Sequence, residues 1–251
     1  MLLKDQVVLV TGGARGIGAA ICRVLGREGA TVAVNFASSA DKAEAVAADI
    51  RAAGGKAKAF QADVRDAESV RAMVEGIVAE WGRLDGVVNN AIGGRQGGKL
   101  EEASMEDYMN SFDYGCRAVI NTLKAARPVF GRQGGGSVVN IITELWNMAP
   151  ADWSVYMANK GAAVGISRSL ANELGPEGIR INMVAPGWMA DEKVDTTSEG
   201  SKGFAQTLPL RRHGSAEEIG KACVFFLSDL SSYVTGAYLP VTGGRVTQAG
   251  V

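Results

Sequence analysis

The stretch Thr11-Gly12-Gly13-Ala14-Arg15-Gly16-Ile17-Gly18 decides how this chain folds. An apolar run, Val7-Val8-Leu9-Val10, leads into it and reads as a buried strand. Ile17, Ile21, Val24 and Leu25 lead out of it at helical spacing. A strand, a glycine turn and a helix start aim backbone N–H groups and a positive helix end at one point, which suits a pyrophosphate. One glycine permits the turn, one lets the backbone approach the phosphates, and one lets helix and strand pack closely. Three residues separate Gly12 from Gly16, which is not the common dinucleotide spacing. By itself the stretch therefore also reads as a strand-to-helix turn with permissive glycines.

The 251 residues, 47% of them hydrophobic, suffice for one sizeable α/β core, and residues 1–251 read as a single domain. The net charge of −1 and the absence of long single-sign runs argue against a nucleic-acid or membrane-surface partner. Cys22, Cys116 and Cys223 sit in apolar or helical settings and read as packing thiols of a reducing compartment. No signal peptide and no apolar stretch of membrane-spanning length is seen, so the expected location is cytoplasmic. The one histidine, His213, gives a His-based zinc site or a Ser-His-Asp triad little to draw on, and it reads as part of a polar loop.

Strand and helix patterns alternate along the chain. The strand candidates are Val7–Val10, Thr31–Asn35, Ala57–Gln61, Gly86–Asn89, Ser137–Ile142, Arg180–Val184 and Tyr238–Val241. Amphipathic stretches such as Val70, Met73, Val74, Ile77 and Trp81, and the segment Ser215–Ser228, lie between them. The alternation predicts an α/β fold, a doubly wound parallel sheet with helices on both faces.

In such a sheet, ligands bind beyond the carboxyl ends of the strands. The second candidate strand runs into Asn35-Phe36-Ala37-Ser38-Ser39, with no acidic residue to bind a ribose 2′-hydroxyl. Arg15, helped by Ser38, Ser39 or Asn35, can instead face a 2′-phosphate, which favours NADP(H) over NAD(H). Asp63-Val64 follows the third strand, where an adenine edge could be held. Asn89-Asn90-Ala91 follows the fourth, and its amides can brace the strands or meet the cofactor.

Thr143 closes the fifth strand candidate, and Tyr156-Met157-Ala158-Asn159-Lys160 comes thirteen residues later. On a helix, Tyr156 and Lys160 lie one turn apart on one face. A free phenol titrates near 10, so exchanging protons at neutrality requires about 4 kcal/mol of tuning. One ammonium about 4 Å away supplies about that much at an effective dielectric near 20. Thr143 offers a hydroxyl that orients and polarises a substrate oxygen.

With these residues in place, the chain resembles a short-chain dehydrogenase/reductase over nearly its full length, close to the 3-oxoacyl-acyl-carrier-protein reductase branch. The resemblance rests on Thr11–Gly18, Asp63, Asn89-Asn90-Ala91, Gly136–Thr143, Tyr156–Lys160, Asn182 with Pro186-Gly187, and Tyr233–Gly236 through Val241–Gly244. It implies a Rossmann-like sheet of about seven strands and direct hydride transfer, without metal, between a carbonyl and a secondary alcohol. The catalytic set implied is Tyr156 as acid/base, Lys160 as its tuner and ribose ligand, and Thr143. The implied cofactor contacts are Gly12, Arg15, Gly16, Ile17, Gly18, Asn35, Ser38, Asp63, Val64, Asn89 and Ala91, with Tyr156 and Lys160. Pro186, Gly187 and Met189 would pack beside the nicotinamide. A homotetramer or homodimer is implied, built on the helices containing residues 102–130 and 154–174.

The chain also departs from the pattern. Thr143 stands where the family usually has Ser, Gly115 where it has a catalytic Asn, Ile92 where it has Gly, and Asp191 where a Thr contacts the nicotinamide amide. These departures motivate an alternative, a non-catalytic NADP-binding sensor or subunit. The stretch Trp188–Gly214 resembles a mobile substrate lid. Trp146, Met148, Trp153, Trp188 and Met189 are expected to cluster at the pocket mouth and to favour an apolar or aromatic substrate group. Gly134 and Glu177 are not basic, although related reductases carry basic residues near these places to dock an acidic carrier, so a small or coenzyme-linked carbonyl compound is as well supported as a carrier-bound chain.

Overall fold

The structure, a computed structural model, describes residues 1–190 and 195–245. Seven parallel strands form the main sheet: β1 (Val7–Val10), β2 (Thr31–Phe36), β3 (Lys56–Gln61), β4 (Gly86–Asn89), β5 (Gly136–Ile141), β6 (Ile179–Pro186) and, at the far edge, β9 (Tyr238–Val241). Two short strands, β7 (Met189–Ala190) and β8 (Gly214–Ser215), pair apart from it. The order β3-β2-β1-β4-β5-β6-β9 reverses direction between β1 and β4, with Val10 opposite both Val34 and Val88. That reversal opens a crevice at the strands' carboxyl ends, directly after the glycine turn.

All seven expected strands are present. The unbroken apolar run of β1 follows from burial on both faces, which removes the alternation still seen in the edge strand β3. Val8 and Val10 point to one face, where Ile21 and Leu25 of α1 (Gly16–Arg27) and Ile219 and Phe226 of α9 (Ala216–Leu227) join them in one core. Val7 and Leu9 point to the other. There they share a second core with α3 (Ala67–Trp81), α5 (Arg117–Gln133) and α7 (Ser154–Leu174) through Ile77, Phe130 and Leu174. α2 (Ala40–Ala52) completes the first layer with Val46 and Ile50. The N-terminus of α3 is capped by Asp66, which accepts from the backbone N–H groups of Glu68 and Ser69.

Two expectations are corrected here. β5 ends at Ile141, so Thr143 lies just beyond the strand and not at its last position. The lid stretch also carries more regular structure than its polar composition suggests: β7, β8 and the helix α8 (Glu199–Thr207) fall within its described part. Asp191 lies outside the described residues.

A buried polar chain crosses the middle of the sheet. Thr122 Oγ1 donates to Asn89 Oδ1 at 2.8 Å, Asn89 Nδ2 to Asn140 Oδ1 at 2.8 Å, and Asn140 Nδ2 to Ser167 Oγ at 2.7 Å. The chain ties α5, β4, β5 and α7 together in a region without competing water, where an orphaned partner is expensive. Asn140→Ala strands both neighbours and is expected to destabilise the fold by about 3 kcal/mol. Urea unfolding checks this as a lowered midpoint with an unchanged slope.

Candidate active site

The glycine turn is held from two sides. Thr11 Oγ1 accepts from the backbone N–H groups of Asn90 and Ala91 at 2.9 and 3.0 Å. Asn90 Nδ2 returns bonds to the carbonyls of Thr11 and Gly12 at 3.0 and 3.1 Å. Gly12 adopts φ +61°, and a Cβ on Gly18 would fall 2.2 Å from the Gly12 carbonyl oxygen, so neither position accepts a side chain. The cleft above the turn has a volume of 360 Å³. Gly12, Arg15, Gly16, Ile17, Gly18, Asn35, Ser38, Asp63, Val64 and Ala91 all line it, as expected, together with Asn90 and Ile92.

Several of the expected cofactor contacts are committed to the protein itself. Asn35 is buried. Its Oδ1 accepts from Gly12 N at 3.2 Å, and its Nδ2 donates to the Ala62 carbonyl at 3.0 Å. Its amide therefore shapes the turn and is not directed at a phosphate. The Asn89 side chain belongs to the polar chain across the sheet, which leaves only its main chain for a cofactor contact. Asp63 is gripped by Arg65, whose Nε and Nη2 donate to its carboxylate at 3.0 and 2.6 Å, and this grip holds the carboxyl below its ordinary range. Arg65 also lies over the Tyr114 ring, 5.2 Å from its centroid. Arg15, by contrast, is exposed at the start of α1 and makes no ion pair among the described residues.

The strand ends carry the reactive groups. Tyr156 and Lys160 lie on α7 as the spacing predicts, and the Thr143 side chain is near enough to the Tyr156 hydroxyl to draw the phenol down. The Thr143 carbonyl accepts from the Tyr238 hydroxyl at 3.0 Å, which fixes the backbone just past β5. Lys160 is 6% exposed, and its Nζ donates to the Ile141 carbonyl at 2.8 Å. Nζ also lies 5.7 Å from the Tyr156 ring centroid. Burial lowers the Lys160 ammonium to about 8.

Burial likewise raises the Tyr156 phenol above its ordinary value, and the neighbouring Thr143 side chain works against that rise. In the free protein the charge of Lys160 does not offset this rise, although its expected magnitude, to which an oxidised nicotinamide would add, sufficed. Desolvation outweighs an ammonium that is directed at a backbone carbonyl.

The departure at Gly115 has a steric cause. Gly115 ends α4 (Met105–Gly115), and α5 begins two residues later, with the break at Cys116. A Cβ on Gly115 would lie 2.0 Å from the Asn159 carbonyl oxygen and 2.6 Å from its Oδ1. Asn159 comes from α7, and its Nδ2 donates to the Ser111 carbonyl at 2.7 Å. It fills the place of a side chain at 115 and pins α7 to α4 immediately before Lys160. It stood inside the quoted Tyr156–Lys160 pentad, but only the packing of α4 on α7 reveals its direction. A cavity of 10 Å³, room for about one water, lies among Tyr114, Gly115, Asn140, Asn159 and Lys160.

Other expected residues are dispersed. Pro186 ends β6, and Gly187 N donates to the Val241 carbonyl at 2.9 Å. Met189 is buried in the core and lies against Gly214, so its side chain is turned away from the cleft. Trp153 packs edge-on to Tyr156 with ring centroids 5.6 Å apart. Trp188 instead packs on Phe204 at 4.6 Å, and Trp146 lies over Gly161. The aromatic side chains do not form one cluster. His213 Nε2 lies 2.8 Å from Ser201 Oγ, a bracing contact to α8. Among the described residues no group of His, Cys, Asp and Glu could hold a metal, and no helix is long and apolar enough to cross a membrane.

Comparison with known proteins agrees with this architecture. Residues 12–245 match the family described as Enoyl-(Acyl carrier protein) reductase. An uncharacterized oxidoreductase of Methylorubrum extorquens is 41% identical over 246 residues, covering 96% of this chain and 98% of the relative. A 3-oxoacyl-[acyl-carrier-protein] reductase of Staphylococcus aureus is 37% identical over 237 residues, covering 94% and 96%. The crystal structure of a short-chain dehydrogenase from Burkholderia cenocepacia in complex with NADP superposes with a TM-score of 0.87 at 33% identity, covering 97% of this chain and 99% of that one. The chain belongs to the short-chain dehydrogenase/reductase family and is an oxidoreductase of the branch that resembles 3-oxoacyl-acyl-carrier-protein reductases.

The buried ammonium has a consequence for stability. Unfolded lysine titrates near 10.4, so between about 8 and that value the unfolded chain binds more protons and stability rises with pH. The rise is at most about 1.4 kcal/mol per pH unit. Tyr238, pushed up to about 12 by burial and by the charge of Glu144, titrates above this window. Burial also raises the Cys22, Cys116 and Cys223 thiols, which pulls stability down above about 8.5. The ammonium is therefore read by difference: in urea unfolding between pH 7 and 10, wild-type stability minus that of Lys160→Met is expected to rise with pH.

Proposed function

We propose that the chain is an NADP(H)-dependent carbonyl reductase, reversible as an alcohol dehydrogenase. The observation that carries this reading is the placement of Tyr156, beside the Thr143 side chain, one helical turn from a buried Lys160 at the carboxyl end of the sheet. Bound beside it, the dinucleotide would supply or accept a hydride. Thr143 donates a hydrogen bond to the substrate oxygen and orients it. Tyr156 donates a proton to that oxygen as the alcohol forms, and withdraws one in the reverse direction. Lys160 keeps a positive charge beneath the site, held by one carbonyl and available to a ribose hydroxyl.

The cleft fits a dinucleotide phosphate. Its glycines leave room for a pyrophosphate at the start of α1, Arg15 has no ion-pair partner among the described residues, and Ala37-Ser38-Ser39 after β2 carry no carboxylate to repel a 2′-phosphate. The NADP complex of the Burkholderia relative adds support. A 3-oxoacyl thioester is the substrate class suggested by the Staphylococcus relative. Glu177 is paired with Arg127 at 2.5 Å and offers an acidic carrier nothing, so a coenzyme-linked or small ketone fits better than a carrier-bound chain. Trp153 against Tyr156 favours an apolar group beside the carbonyl. Met105, Met109 and Phe112, exposed along one face of α4, support a homotetramer or homodimer.

The non-catalytic alternative draws on Ile92, 44% exposed beside the cleft, and on the lost side chain at Gly115. A panel of ketones assayed by loss of NADPH absorbance separates the two readings. The wild type is expected to turn over with NADPH preferred to NADH. Tyr156→Phe is expected to lose at least about a hundredfold in kcat while NADPH still binds. Turnover unaffected by that substitution, or NADPH bound tightly with no ketone reduced, would refute the reductase mechanism.

A further inference from the structure

Glu144, the residue after Thr143, is 3% exposed, and burial pushes its carboxyl up against the opposing pull of Arg245. Its Oε1 accepts from Arg245 Nη1 at 3.2 Å. Among the described residues its Oε2 is buried without a hydrogen-bond partner, and it lies against Gly187, where a Cβ would meet it at 3.1 Å. A buried carboxylate with a single cation fixes that cation, because releasing it strands a charge. Exposed pairs such as Arg23–Asp49, with side chains 41% and 57% exposed, impose no such constraint.

The other side of Arg245 meets α8. Its guanidinium carbon lies 5.3 Å from the Phe204 ring centroid. Phe204 in turn packs against Trp188 at 4.6 Å and stacks on His213 at 5.6 Å. His213 closes the loop by bonding Ser201 in the first turns of α8. The buried carboxylate therefore communicates with an aromatic set that begins one residue after Gly187.

We propose that Arg245 is a positioning residue that ties α8 to the strand end carrying Thr143, gripping Glu144 with one edge and Phe204 with its face. The role assigned to α8 as a substrate wall rests on the carbonyl-reductase reading. The tether itself does not depend on turnover. Without Arg245, Phe204 and Trp188 lose their common seat and α8 opens locally, while the glycine turn and its cleft are untouched.

The test compares full-length wild type with Arg245→Met, Glu144→Gln, Phe204→Leu and the Glu144→Gln/Arg245→Met double variant. Tryptic cleavage at Lys202 in α8 is expected to accelerate about tenfold in Arg245→Met, reporting local opening, with the thermal midpoint little changed. In turnover, KM for the ketone is expected to rise at least about fivefold, with KM for NADPH unchanged. Phe204→Leu is expected to reproduce part of the cleavage effect, and the double variant to be no worse than Arg245→Met, since the two groups act as one unit. Wild-type cleavage in Arg245→Met overturns the tether. Strictly additive effects of the two single variants, or a fall in thermal midpoint with cleavage accelerated equally throughout the chain, overturn it as well. Absence of turnover on every ketone with altered cleavage at Lys202 contradicts only the reductase reading.

Discussion

A lysine ammonium held away from water by a single backbone carbonyl is the constraint around which the site is built. Lys160 has the Ile141 carbonyl at 2.8 Å and almost no solvent. Desolvation works against its charge, so its position must be imposed by the surrounding fold. Three elements impose it. β5 supplies the carbonyl, α7 carries the lysine, and α4 receives the Asn159 amide that locks α7 in place.

The same principle governs the cofactor side. The glycine turn is exposed to a ligand on one side only, while Thr11, Asn35 and Asn90 satisfy its backbone on the other. Those side chains hold the turn open. The chain Thr122–Asn89–Asn140–Ser167 extends this support through the sheet to α7. Cofactor cleft and reactive strand ends are thus joined by buried hydrogen bonds that lose much of their value if any one partner is removed.

The sheet was legible because parallel strands covered on both faces must run apolar without interruption, and Val7–Val10 and Gly86–Asn89 do so. Tyr156 and Lys160 were legible because four residues make one helical turn. The partners of buried polar groups were not. An asparagine near a strand end looks the same whether it braces a turn, as Asn35 does, or faces a ligand, and only tertiary packing distinguishes the two. Met189 was misplaced because its direction depends on the β7–β8 pairing, which two-residue strands do not announce. Gly115 looked like a lost side chain, yet Asn159 already occupies its space. The acidity of Tyr156 was misjudged because its burial and the commitment of Lys160 to Ile141 are both three-dimensional facts.

In the reductase reading, proton exchange by Tyr156 at neutral pH draws on the bound dinucleotide as well as on Lys160. An ultraviolet titration of the phenolate, taken as wild type minus Tyr156→Phe with and without saturating NADP⁺, measures this directly. The midpoint is expected above the ordinary phenol value in the free protein, and below it when the dinucleotide binds. A midpoint that stays above 10 with NADP⁺ bound, or one already near neutrality without it, would contradict the account.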